Sequence, residues 1–402
     1  MKELNFKNPY TLKYASSITE FNSSQWNNMV PHDAIPFLEW EWLAALETSG
    51  SICPKTGWRP LYLSLWDKYR LLAVSPLYIK YHSDGEFVWD YFFAEAAASV
   101  GRPWYPKLVG TVPATPAEGY RFLFAPEEDP RPLNKILLDA AEHLCRRSGI
   151  RGLHLLFTDP FWAAWPGSLM DRSYGGWKHS RFVWENRYTD FDQYLAQFNK
   201  NQRKNIRKEY GRHKDQGITL RILEGQDADH GFFDRIFELY SLTNDKFLPW
   251  DARWVNRDFF RLCGKMYRGR TVFSEARRLG ARGEETLAMA MMFRKEDHIW
   301  GRYWGAYEDV KDLHFALCYY APMDYCIRKG IRYFDPGVGS PHKIRRGFRA
   351  AFDLSYHKFF DPVLESIFTA HMAAANQYEE ENIAALNAAI PVKIPAPWRA
   401  YP

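Results

Sequence analysis

The chain has 402 residues, enough for two domains of ordinary size, and its 46% apolar and 25% charged residues are those of a globular protein. A net charge of +5 excludes a protein that is basic throughout, and no run approaches 18 apolar residues, so no membrane-spanning helix is expected. Five cysteines (Cys53, Cys145, Cys263, Cys318, Cys326) without a CxxC pair argue against a disulfide framework or structural zinc. The first residues lack the apolar core of a signal peptide, which makes the cytoplasm the expected compartment.

In chain order, residues 12–19 predict a first strand, and Asn22-Ser23-Ser24 a cap on a short helix. Pro36 opens a second helix, with Phe37, Trp40, Leu43, Ala44 and Leu46 at helical spacing, and Thr48-Ser49-Gly50 stops it. Strands are expected at 61–66, 71–81 and 86–91, then a loop with spaced prolines at 102–116. Residues 133–148 predict an amphipathic helix ended by Gly149, 153–157 a strand, 161–172 a helix interrupted by Pro166, and 182–188 a strand.

The order then restarts. A charged helix or helix pair covers 191–216, a strand 218–223, and helices 232–244 and 255–266. Strands at 271–277, 287–294 and 298–305 precede a helix at 313–329, a strand at 331–334 and a last strand at 352–359. Each half thus reads as antiparallel strands followed by a crossover helix to a parallel strand, an α+β layer with helices covering a mixed sheet. The boundary is set near Glu185, giving domains 1–184 and 185–362, the second carrying the basic helix 191–216, and a tail 363–402 with one helix and a proline-rich end.

Residues 301–348 draw attention as a site. Strand, helix and strand lead into His342-Lys343-Ile344-Arg345-Arg346, four cations in five residues, a composition suited to an anionic or carbonyl-bearing ligand. Residues 200–214 hold seven cations against one acid, Glu209, with Asp215 next in the chain. Arg203, Lys204 and Arg207 could track phosphates, Arg203 and Arg207 lying four apart on one face; the plain alternative is a solvated helix face. Arg302 and Tyr303 alternate on their strand, so at most one faces a pocket. His314 and Cys318, four apart on a helix, permit a shared metal, but no other ligand pair accompanies them and no metal is expected. Cys318 could instead be a nucleophile beside His314, or a buried small hydrophobe.

The element order is similar to the GNAT acyltransferase fold taken twice. The chain resembles the Fem family of peptidoglycan aminoacyltransferases, and more closely a bacterial family of predicted N-acyltransferases related to Fem and described as peptidoglycan biosynthesis or recognition proteins. The stretches carrying the resemblance are Ala44-Ala45-Leu46-Glu47, Ser49-Gly50, Thr56-Gly57-Trp58, Pro76-Leu77-Tyr78-Ile79-Lys80, Tyr105-Pro106-Lys107-Leu108, Val112-Pro113 and Thr115-Pro116. In the second half they are Trp184-Glu185-Asn186-Arg187, Arg203-Lys204-Asn205-Ile206-Arg207, Gly301 to Gly305, Leu313-His314-Phe315, Cys318-Tyr319-Tyr320, His342-Lys343 and Arg346-Gly347-Phe348. Two departures stand out. Ala316 occupies the place of the family's Glu after His-Phe, and Val338-Gly339-Ser340-Pro341 replaces an Ala-Gln-Gly-Glu run; both remove a carboxylate from the expected pocket.

The resemblance implies tandem GNAT-like domains and transfer of an acyl or aminoacyl group, from an aminoacyl-tRNA or acyl-CoA donor, to a primary amine of a small molecule or cell-wall precursor. In that reaction Lys343 or Arg346 would steady the oxyanion and His342 would take the amine's proton. Arg203, Lys204, Arg207, Arg302, Tyr303, His314 and Cys318 would contact substrate. No cofactor and no DNA partner are expected, and peripheral contact with a membrane-borne precursor is compatible with the reading. The turn that holds coenzyme A pyrophosphate in GNAT proteins is glycine-rich; here residues 306–312 hold no glycine and three acids, which favours a non-CoA donor. With 17% aromatic residues and the missing carboxylates, a non-catalytic peptidoglycan- or glycan-binding protein is the alternative.

Overall fold

The computed structural model describes residues 1–4, 9–246, 252–280, 283–339 and 341–392; Ser340 and the proline-rich end beyond residue 392 lie outside the described residues. The chain divides into two compact units. The first comprises Met1–His179, Trp254–Met266 and Asp353–Glu379, the second Ser180–Arg253, Tyr267–Phe352 and Glu380–Pro402.

In the first unit, strands β1 (Thr11–Ala15), β2 (Trp58–Asp67) and β3 (Arg70–Lys80) form an antiparallel meander, and β4 (Lys107–Gly110) pairs with β3. Helix α1 (Trp40–Thr48) buries Trp42, Leu43, Ala44, Ala45 and Leu46. Strand β5 (Gly152–Leu155) lies parallel to β4, with Leu108 opposite Leu153. The crossover is a long helix, Pro130–Ser148. Asp129 accepts from the Arg131 N–H, Pro130 fits the first turn, and Gly149 ends the helix at φ 67°. Leu133, Leu137, Leu138, Ala141 and Cys145 are buried, the stripe that fixes the helix on the sheet. The cap places its start earlier than the apolar spacing alone suggests.

The expected strand at 86–91 is absent. Residues 82–90 form a loop that leads into helix α2 (Tyr91–Ser99), and the expected loop at 102–116 contains β4. The reason is electrostatic. Lys80 and Lys107 are direct cross-strand partners, an arrangement that repels. The loop folds inward to neutralise them: Lys107 Nζ donates to Glu86 Oε2 at 2.7 Å, Asp90 Oδ2 at 2.5 Å and Ser83 Oγ at 2.8 Å. A strand would turn alternate side chains away and could not bring Glu86, Asp90 and Ser83 to one ammonium. Lys80 Nζ lies 3.5 Å from the centre of the Trp58 ring and donates to the Asp84 carbonyl. Burial, reinforced by the Lys107 charge, lowers Lys80 to about 7, while burial raises Glu86 to about 7.

A histidine cluster lies in the same unit. His154 of β5 faces His357 across the ladder, their Nδ1 atoms 2.7 Å apart, so one ring carries Nδ1–H and the other accepts. His179 lies against Trp177, ring centres 4.7 Å apart and planes tilted by 47°, and Trp104, Phe359 and Phe368 close the cluster. Burial drives all three histidines below their usual range, His179 to about 3.

The second unit repeats the plan. Strands β7 (Ile218–Glu224), β8 (Thr271–Gly280), β9 (Gly283–Lys295) and β10 (His298–Ala306) pair antiparallel in that order, and β11 (Tyr333–Asp335) runs parallel to β10. The end of β6 (Gly175–Glu185), with Trp184 and Glu185, pairs antiparallel with β11. The charged stretch 191–216 resolves into α4 (Phe191–Ala196), α5 (Lys200–Gly211) and a 3-10 turn, Arg212–Gln216. Asp190 and Asn199 cap the two helices through the Gln193 and Gln202 N–H groups. Helix α6 (His230–Asp245) packs so closely on β10 that a Cβ on Gly305 would lie 2.0 Å from the Leu239 carbonyl oxygen.

The expected helix 313–329 is not uniform. Leu313–Phe315 passes into a π turn, Ala316–Tyr320, before α8 (Ala321–Lys329). Pro322 is the cause. It has no N–H for the carbonyls behind it, the Ala321 N–H reaches back to the Ala316 carbonyl, and the Ser274 hydroxyl donates to the Leu317 carbonyl at 2.7 Å. Phe182, Trp184, Tyr194, Phe198, Tyr320, Met323, Phe334 and Phe348 form the core beneath.

Candidate active site in the second unit

Three local features bring the site together. The first is a bulge on β10. Gly301 faces Met292 and Tyr303 faces Met291, and Arg302 bulges between them. Tyr303 turns into the core against Tyr240 and Phe293, ring centres 5.4 and 6.3 Å away. Arg302 binds Asp335 Oδ2 at 3.1 Å and the Gly301 carbonyl at 2.8 Å.

The second feature is the end of β11. Its parallel ladder with β10 stops at Trp300 and Asp335. Asp335 Oδ1 then accepts the Gly337 N–H at 2.7 Å, closing a turn in which Gly337 has φ 80°. A Cβ on Gly337 would lie 2.9 Å from the Gly301 carbonyl oxygen, so glycine is required by both conformation and space.

The third feature is the basic stretch Pro341–Arg346, a 3-10 turn. Side chains three apart eclipse in this geometry. Lys343 and Arg346 therefore share the buried side, 2% and 3% exposed, while His342 and Arg345 share the exposed side. Lys343 Nζ donates to the Gly337 carbonyl at 2.5 Å. Burial lowers Lys343 to about 8; the Arg302 charge pushes the same way and Asp335 opposes it.

The Arg346 guanidinium lies 3.4 Å from the centre of the Phe315 ring. It donates to the His342 carbonyl at 2.8 Å and to Glu209 Oε2 at 2.7 Å. Tyr320 donates to the same Glu209 oxygen, and the Tyr194 hydroxyl to the Arg346 carbonyl. Gln202 ties α5 to the Arg345 carbonyl. Arg346 Nε is buried with no hydrogen-bond partner among the described residues. Replacing Glu209 by Ala is expected to cost about 2 kcal/mol, reduced from the usual cost of orphaning a buried charge because the carboxylate is 24% exposed. A urea midpoint equal to the parent's would contradict this.

His314 lies among Trp304, Phe315 and Tyr319, and burial followed by the charges of Arg346, Lys343 and His342 brings it down to about 4. Burial pushes the Cys318 thiol up, and a thiol held protonated is a poor nucleophile. Arg302, Lys343, Arg346, His314 and Cys318 thus share the surroundings of one turn and one helix, while Tyr303 is a core residue. On the basic helix, Arg203 is half-buried, Lys204 is exposed, and Arg207 pairs at the surface with Asp192 at 3.2 Å. Sequence reasoning missed Glu209 as a site carboxylate. Its signal was spacing: Ile206 and His213, three before it and four after it, are both buried.

In the 306–312 connection, Glu308 pairs with Arg278 and Asp312 with Arg212. No group of three or more His, Cys, Asp or Glu among the described residues could hold a metal ion, and no helix among them is long and apolar enough to cross a membrane.

A family model, FemAB-like, described as peptidoglycan biosynthesis/recognition, matches residues 17–394. Among solved structures, FemX is similar at 11% identity and a TM-score of 0.54, over 86% of this chain and 98% of that one. L-PGS from Bacillus licheniformis is similar at 12% identity and a TM-score of 0.45, over 82% and 95% of the two chains. The tandem GNAT protein from the clavulanic acid biosynthesis pathway is similar at 14% identity and a TM-score of 0.40, over 87% and 98%. No curated protein matches the chain. The fold is α+β, a mixed sheet flanked by helices, and is similar to that of FemX.

Proposed function

The chain belongs to the FemAB-like family, and from that premise and the geometry above we propose that it is an N-acyltransferase moving an acyl or aminoacyl group to a primary amine. The donor is an aminoacyl-tRNA or an acyl-CoA, which puts the reaction in the cytoplasm. The observation that carries the reading is the inward pair on the 3-10 turn: a buried lysine lowered to about 8, and a buried arginine whose Nε–H has no partner among the described residues.

The chemistry follows from these two groups. The amine nitrogen attacks the donor carbonyl carbon, a C–N bond forms, and the carbonyl pair moves to oxygen. Arg346 Nε–H is the donor that steadies this oxyanion. Neutral Lys343 takes the proton from the attacking nitrogen and returns it as the intermediate collapses and the donor's ribose oxygen or thiolate leaves. Asp335 and Arg302 hold the turn that carries the Gly337 carbonyl and so orient Lys343. His342, expected from the sequence to take the amine's proton, lies on the exposed side of the turn, so that step is assigned to the buried Lys343 instead. The outward face of α5, with Arg203, Lys204 and Arg207, meets phosphates of a substrate, so binding weakens steeply with salt. The acids of 306–312 favour aminoacyl-tRNA over CoA.

The test is mass spectrometry of the purified protein with separate acyl-CoA and charged-tRNA donors and a pool of amines, including a muropeptide amine. An amine gaining one acyl mass is expected. No product with either donor, from protein that binds muropeptide, would overturn the transferase in favour of a binding protein.

A further inference from the structure

A cavity of about 500 Å³ borders the basic helix on the side that carries Arg207 and Tyr210. Phe191 and Leu195 of α4, Tyr210 of α5 and Ile218 of β7 give it an apolar lining. Arg207 and Lys214 stand at its mouth, and no carboxylate lines it. Gly211 sits between these cations; a Cβ there would meet nothing within 4 Å, so the entrance is open. His213, 7% exposed, also borders the cavity, and its Nδ1 has no hydrogen-bond partner among the described residues.

We propose that this cavity binds a single-chain aliphatic anion, with the chain against Phe191, Tyr210 and Leu220 and the anionic head between Arg207 and Lys214. Size, lining and charge each contribute. The volume is that of a small-molecule site, and burying an apolar chain supplies the affinity. A nucleobase is disfavoured by the rings: Phe191 and Tyr210 pack on each other, centres 5.2 Å apart and planes tilted by 47°, and leave no parallel slot between them. The cations are available. Lys214 makes no ion pair among the described residues, and the exposed contact of Arg207 with Asp192 is weak and easily exchanged for a ligand's head group. Nδ1 of His213 offers the remaining polar contact.

Binding is measured without turnover, so failure of this inference and failure of the transferase reading are told apart. The probe is decyl phosphate below its micelle concentration, titrated calorimetrically against the full chain, with decanol, inorganic phosphate and AMP as comparisons. Saturable one-to-one binding is expected, at least tenfold tighter than any of the three. The double variant Arg207→Gln, Lys214→Gln should lose about tenfold in affinity, and Thr219→Trp, which fills the mouth from an exposed position, should lose binding while keeping the parent's urea midpoint. AMP or phosphate binding as tightly as decyl phosphate would overturn the proposal, as would variants that bind like the parent.

Discussion

Replacing Lys343 by Met is expected to lower turnover by about two to three orders of magnitude with little change in donor affinity, because it removes the group that accepts the attacking amine's proton. The pH profile makes the assignment specific. Lys343 acts when neutral, and with its ammonium lowered to about 8 the rate rises with pH and levels off near that value. In Lys343→Met this rising limb disappears. Met keeps the length and apolar stem of the side chain without a charge to bury, so the fold persists, and an unchanged urea midpoint checks that. A variant that keeps both its rate and its rising limb would show that the proton goes elsewhere.

The second large effect is on stability in acid. His154, His179 and His357 are buried neutral, and His314 is lowered to about 4. Their pKa values are near 6.5 in the unfolded chain, so below that pH the unfolded chain takes up protons that the native state refuses, and stability falls. Glu86, raised to about 7, and Glu47, raised by burial, act in the opposite sense: the native state holds their protons while the unfolded chain does not. The four histidines outnumber the two carboxylates, and His82, His213 and His298, also lowered by burial, add to them; the surplus is on the order of two protons or more at about 1.4 kcal/mol per proton and pH unit, so roughly 4 kcal/mol between pH 6.5 and 5. That is a large part of the stability of an ordinary domain. Urea midpoints across this interval should fall steeply, and His179→Phe should make the fall shallower by about one proton. Midpoints that hold steady or rise toward pH 5 would contradict the argument.

The sequence made the plan of the fold legible where a local rule was strong. Gly149 and Gly330 mark helix ends because only glycine takes their positive φ without strain, and apolar spacing located the crossover helix from residue 133, short of its Asp129 cap. The rules failed where a distant charge decided. Nothing local to residues 86–91 announces that Glu86 and Asp90 turn inward, because their partner Lys107 lies on a later strand. At the site, the cations of 342–346 were legible as a cluster, but their division into an inward and an outward pair depends on a 3-10 turn that composition does not reveal. Glu209 was visible only as a stray acid in a basic helix. The loss of acids at Ala316 and Pro341 does not leave the site without carboxylates, since Asp335 and Glu209 reach it from other elements.

The wide turn at Ala316–Tyr320 is, in effect, one surplus residue in a helix. The extra residue is absorbed within that turn, so the spirals on either side keep nearly the same phase and the Phe315 ring stays against the Arg346 guanidinium. The irregularity thus acts as a spacer: it gives Pro322 room inside a helix without turning Phe315 away from the turn that carries Arg346.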